Sequence, residues 1–358
     1  MPSLKEIKGR INSISSTLAI TSAMKMVAAA KLQKAQMAIQ NMLPYERRLY
    51  SMLVDLMGAM NISAAASEDG SVRGSGSAER GFDQSGDRLS LSNRHDLAGM
   101  DGAYSLMAQR EVRKVAIVAF ASNSSLCGAF NSNVIREATA VINEYRASGL
   151  RDSDIVVYSV GRKMAEAMRK LGFPSPADFT KMSDSPSYEA ASALAQELLD
   201  GFVSGRFDKV ELVYNHYKST SSQPTIRQTY LPLSLADATA DIQVGKITDS
   251  ASESDTNRGA EPVGAPVVRQ GSPTTEDLIV EPSKEALIAT LLPKVIRLRI
   301  FTTLLDSAAA EHAARTVAMQ LATDNGNDLL QELTLEYNKG RQQKITSEIL
   351  DLVGGSMQ

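Results

Sequence analysis

The sequence predicts an α+α/β fold: a long antiparallel coiled coil, made of the N- and C-terminal helices, carrying a central α/β domain. Three observations predict it. Apolar residues recur at spacings of three and four from the first turn onward. A second long helical pattern closes the chain. Between them, strand-like apolar runs alternate with amphipathic ones.

Residues 1–58 form the first element, with its helix starting at residue 3. Ser3 is placed to cap it, and Glu6, three residues on, completes a capping box. Leu4, Ile7, Ile11, Ile14 and Leu18 then fall at spacings of 3, 4, 3 and 4, a heptad seam. The register continues through Thr21, Lys25, Ala28, Leu32 and Ala35. Lys25 interrupts it, and Ala28–Ala30 thins the helix so that a neighbour can come close. Pro44 is a point for a kink.

Residues 59–110 change character. Ser, Gly, Asp and Arg dominate, and apolar side chains are too sparse to offset the entropy of ordering, which predicts a disordered insertion.

Residues 111–235 read as the α/β domain. Strand runs at 114–121, 154–161, 209–217 and 224–233 alternate with helical patterns at 131–149, 162–172 and 188–205. That alternation predicts a Rossmann-like, parallel-rich sheet with right-handed crossovers. Residues 236–275 are polar and loop-like. Residues 276–358 hold the second long helix, read over 283–353, with Pro293 in its first turns and Ile345, Ile349 and Leu352 again at spacings of 4 and 3.

Composition narrows the function. A formal net charge of −3 argues against a general nucleic-acid binder. Residues 1–48, however, carry eight Lys or Arg against two Glu. Either this is a solvated basic face or it meets an acidic partner. The single cysteine, Cys127, excludes an internal disulfide, and no HExxH, CxxC or paired-carboxylate spacing points to a metal. The turn after the first strand, ASNSSLCGAFNSN, holds one Gly and neither a GxGxxG nor a GxxxxGK[ST] pattern, so the sheet has no phosphate cradle. A nucleophilic Cys127 needs a base; His95, His216 and His312 are not placed beside it by any motif, which leaves a structural turn. The opening MPSLKEIKGR lacks the apolar centre of a signal peptide, and no apolar run nears the ~20 residues that span a bilayer.

Three stretches then carry a resemblance. IKGRINSISSTLAITSAMKMVAAAKLQKAQ (7–36) closely resembles the opening helix of the gamma subunits of rotary F-type ATP synthases. AEHAARTVAMQLATDNGNDLLQELTLEYNKGRQQKITSEILDLVGG (310–355) resembles their closing helix. SLCGAFN (125–131), YNHYKSTSSQPTIRQTYLPL (214–233) and EPSKEALIATLLPK (281–294) match the middle of the family in order. The resemblance covers about 250 residues and leaves out 59–110 and most of 236–275.

The resemblance implies a non-catalytic rotor shaft, without cofactor. It would sit inside a hexamer of three alpha and three beta subunits, one copy per complex, with epsilon and the c-ring at its globular end. In this chain Met24, Lys25 and Met26 match the axle segment that faces the beta subunits' acidic lever loop. Arg341, Gln342 and Thr346 match positions that meet the beta catch region. Asp324 and Asn325 belong to the TDN motif, read either as a bent, exposed turn or as a hydrogen-bonding contact to the hexamer. Glu281 lies in the foot that meets epsilon and the c-ring. The absence of a transit-type leader favours a bacterial complex, peripheral on the cytoplasmic side of the inner membrane. Two departures stand out: Asn123-Ser124-Ser125 replaces the family's Asp-Arg-Gly, and Gly340 replaces an Ala. The insertions hold no Cys, so a thiol switch of the chloroplast kind is excluded.

Overall fold

The computed structural model describes residues 3–68, 106, 110–233, 281 and 283–355. Helix α1 spans Leu4–Glu68 and passes through Pro44 without a break in its helical assignment. The Glu6 amide bonds to Ser3 Oγ at 3.3 Å, so half of the predicted capping box forms; the Glu6 carboxylate turns instead to Arg10. The helix runs past the expected limit at 58, through Ala64–Ala66, residues of the highest helix propensity. What remains of the predicted insertion 59–110, apart from Leu106 and Arg110, lies outside the described residues, as do 236–275.

The central domain follows in the order β1 (Val115–Phe120), α2 (Phe130–Ala147), β2 (Ile155–Val160), α3 (Arg162–Lys170), α4 (Thr180–Asp184), α5 (Tyr188–Val203), β3 (Lys209–Asn215) and β4 (Thr225–Leu231). Its sheet has the order β2-β1-β3-β4, with β1 parallel to β2 and β3, and β4 antiparallel to β3. β1 is buried along its whole length, as expected for an unbroken apolar run in a central parallel strand. Alternate residues serve opposite faces. Val115, Ile117 and Ala119 pack under α2 and α3. Ala116, Val118 and Phe120 pack under α5 and against Tyr50, Leu53 and Leu56 of α1. The short helix α4 has no counterpart in the sequence reading.

The closing helix, α6, spans Lys284–Gly355, and Ser283 Oγ caps it through the Ala286 amide at 3.2 Å. Its first turns, Ile288 to Leu304, complete the second face of the sheet. Beyond them α6 runs back along α1. Contacts of Glu46 with Arg299, Leu32 with Ala309 and Ala313, Thr21 with Thr323, Leu18 with Gly326 and Leu4 with Gly340 fix one antiparallel register. From Leu4 to Glu46 this paired rod is roughly 60 Å long at 1.5 Å per residue. Every seam position from Leu4 to Ala35 is buried or half-buried, including Thr21 and Lys25.

The register corrects one expectation. A hairpin read from the two chain ends sets Ile14 beside Ile349; in the structure Ile14 lies instead opposite the region of Leu330. Because Leu4 already meets Gly340, α6 continues past the start of α1 with no opposing helix among the described residues. Residues 341–350, Leu352 and Val353 are exposed, so the Ile345, Ile349 and Leu352 spacing forms no seam with α1.

Candidate partner-contact surface of the hairpin

The residues singled out from sequence fall in three places. The first is a cross-section of the hairpin, about halfway along the paired rod. Met24 is half-buried there, and Met26 is 64% exposed on the outer face of α1. Lys25 follows the heptad register inward, and its Nζ donates to Gln320 Oε1 across the rod. The amide nitrogen of the same Gln320 donates to both Asp324 oxygens, at 2.8 and 2.9 Å. The structure therefore joins Lys25 and Asp324 through Gln320, while Asp324 and Asn325 stay on the surface. The TDN segment is neither a bend nor a turn: it lies in unbroken α-helix.

Gly326 explains the next residue of that motif. A Cβ built there would lie 2.6 Å from Leu18 Cδ2, so the glycine lets α1 close onto α6. At the neighbouring layer Thr323 Oγ1 bonds to Thr21 Oγ1 at 3.1 Å. Gln320, Thr21 and Gly326 were missed as a set, although the four-residue step from Gln320 to Asp324 and the continued heptad register were both readable.

The second place is the tip. Arg341, Gln342 and Thr346 lie about 25 Å further along α6 than Asp324 and are exposed. Thr346 Oγ1 donates back to the Gln342 carbonyl at 2.9 Å. Around them Ile345, Ile349, Leu350, Leu352 and Val353 form an apolar tip, with Leu352 74% exposed. Gly340, beside this group, receives Leu4, whose Cδ2 would stand 3.1 Å from an added Cβ.

The third place is the opposite end. Glu281 is exposed just before α6, roughly 90 Å along the helix from Arg341. It belongs to no cluster with the others.

The turn after β1 is a structural staple. Asn131 Nδ2 reaches Ser122 Oγ at 2.8 Å and Cys127 Sγ at 3.2 Å, and the Ser122 amide donates to Asn131 Oδ1 at 3.0 Å. Leu126 and Gly128 take positive φ of 68° and 59° to make the turn. The polar groups on the buried Cys127 thiol are Ser122, Ser124 and Asn131, with no histidine among them. Among the described residues no group of side chains has the makings of a metal site, and no helix is long and apolar enough to cross a membrane.

Comparison with known proteins gives one consistent result. The family model described as ATP synthase matches residues 3–357. The ATP synthase gamma chain of Phocaeicola vulgatus is 46% identical over 357 residues, covering 100% of both chains. That of Bacteroides thetaiotaomicron is 45% identical over 358 residues, again at 100% of both. The alignments thus run through 59–110 and 236–275 as well. A solved chain from the Euglena gracilis mitochondrial ATP synthase, described as OSCP/F1/c-ring in rotational state 3, shares the fold. It has a TM-score of 0.54 at 19% identity, over 99% of this chain and 93% of that one.

Proposed function

The chain belongs to the ATP synthase gamma family, and from that premise we propose that it is the complex's rotor shaft, carrying torque between a membrane c-ring and an alpha3–beta3 hexamer while catalysing nothing itself. The observation that carries this reading is the hairpin: one rod in a single register, with the end of α6 unpaired among the described residues at one end and a folded domain docked at the other. A shaft must bear load along its length and still slide in its housing. The inward seam meets the first need. Met26, Ile20, Val27 and Met37, exposed along α1, suit the second, because pliable apolar groups repack without interlocking.

In this reading Met24, Met26, Asp324 and Asn325 meet the hexamer at one level, and Arg341, Gln342 and Thr346 meet it nearer the tip. Lys25 acts mainly within the rod, through Gln320. Glu281, at the domain end, is on the side that serves epsilon and the c-ring. The basic excess of residues 1–48 supplies an attraction to acidic beta segments that is long-ranged and weakly directed, so it guides without locking. One copy per complex follows from a single axle in a threefold housing. Bacterial relatives support a place on the cytoplasmic side of the inner membrane, held there through the complex.

Co-purification tests it. The tagged chain should bring down three alpha and three beta chains for each copy of itself, with epsilon, and the membrane complex should pump protons on ATP addition. A chain that captures the hexamer at any other ratio, or whose complex hydrolyses ATP equally well with and without it and never pumps, is an adaptor and not a shaft.

A further inference from the structure

The sheet changes the side of its crossovers between β1 and β3: α2 packs on one face and α5 on the other, and β1 and β3 are neighbours. In open α/β sheets the crevice beyond the carboxyl ends of two such strands is the usual place for a ligand. Here α6 lies against it. After β3, His216 Nδ1 meets Asp306 Oδ2 at 2.6 Å, and the Tyr217 amide donates to Asp306 Oδ1 at 2.9 Å. After β1, Ser124 Oγ takes the Arg315 guanidinium at 2.7 Å, while the other arm of Arg315 holds Glu311 at 2.7 Å. Between these two points Ala310 packs on Cys127 and Phe130. The Tyr217 ring reaches α1 as well, where its hydroxyl accepts from Gln36 at 2.5 Å.

Resting on the shaft reading, we propose that Asp306 and Arg315 form a two-point clamp that fixes the rotational position of the α/β domain on the rod, so that torque applied to the domain turns the hairpin. Two contacts more than two helical turns apart on one helix resist both sliding and twisting, which a single contact or a purely apolar patch does not. Both domain-side partners are themselves immobilised. Asn131 staples the Ser124 loop, and Arg162 grips the Asn123 carbonyl at 2.6 and 3.1 Å. Asn215, next to His216, is buried and donates to the Phe130 carbonyl at 3.0 Å. Charge-assisted bonds between rigid parts suit a joint that must not give. These are positioning residues and lie away from the surface assigned to the hexamer.

The test uses the assembled complex with Asp306→Asn and Arg315→Gln together. Hydrogen exchange in peptides covering 122–128 and 214–218 should speed up by about tenfold, the order expected for loss of one protected hydrogen bond. ATP hydrolysis should persist while protons pumped per ATP fall. Unchanged exchange with an unchanged pumping ratio overturns the clamp. If the double variant does not assemble, Ser124→Ala with His216→Gln, which trims only the domain side, is measured instead under the same criteria. A wild-type complex that never pumps defeats the shaft reading, and the exchange result alone then judges the clamp.

Discussion

Two glycines of α6 look alike in sequence and differ in what they meet. Gly326 would push a Cβ to 2.6 Å from Leu18 Cδ2 and 3.1 Å from Cγ, in the paired part of the rod. Gly340 would meet only Leu4, the first residue of α1, with Cδ2 at 3.1 Å and Cγ at 4.0 Å. Alanine gains about 1 kcal/mol of helix propensity at either site. At Gly340 the end of α1 gives way easily, so Gly340→Ala should raise the melting temperature. At Gly326 the steric cost of prising two helices apart exceeds that gain, so Gly326→Ala should lower it. Thermal melts of the two variants against wild type decide, and equal shifts would count against the packing role of Gly326. Gly161 is more severe: at φ +93° its Cβ would stand 2.0 Å from the Ala121 carbonyl oxygen, a backbone atom that has no rotamer to escape by. Gly161→Ala should cost about 2–4 kcal/mol in denaturant unfolding.

Two histidines give opposite pH signatures. Burial, aided by the Arg315 and Lys31 cations, pulls His312 down to about 4, and its Nδ1 finds no partner among the described residues. The unfolded chain takes up that proton near 6.5, so stability falls as pH drops from 6.5 toward about 4. His216 is raised, chiefly by its bond to Asp306. Its contribution is full below 6.5 and is lost as pH rises through the elevated value. Melting temperatures across this range should show a shallower acid limb in His312→Gln and a shallower neutral-to-alkaline limb in His216→Gln.

At the scale of elements, the helices and strands were legible because their periods are strong: the seam from Leu4 to Ala35 is inward at every step. The register between the helices was not legible. A heptad says which face is buried and not which residue opposes it, and the overhang of α6 depends on that offset. The partner-contact residues carry the same lesson. Family likeness assigned Lys25 to an outside partner, and its charge reads as an interruption of the heptad, yet in the structure it keeps the register inward and lies on Gln320. Met24, half-buried beside it, is where an added charge should act most. Met24→Lys introduces a second cation at that level of the rod, next to the surface proposed to slide past acidic beta segments. Such a variant should keep ATP hydrolysis and lose part of its proton pumping, with the deficit shrinking as salt screens the new charge. Loss of assembly, or a deficit indifferent to salt, would sink that account.

For the whole molecule, the division of labour lies in what each region leaves uncovered. The domain buries both faces of its sheet, one of them against the hairpin itself. The tip leaves Ile345, Ile349, Leu350, Leu352 and Val353 in solvent. Apolar groups already exposed in the isolated chain contribute nothing to its folding when exposed, so their removal costs nothing there. Truncation after Lys344 should therefore leave the melting temperature of the isolated chain unchanged within error and reduce its self-association. If the hexamer covers the tip as the shaft reading proposes, the same truncation in the assembled complex should loosen its hold on the chain, seen as faster dissociation on dilution. A truncated chain that melts well below wild type would mean the tip folds back onto the rod; one that dissociates no faster would mean the hexamer never covered it.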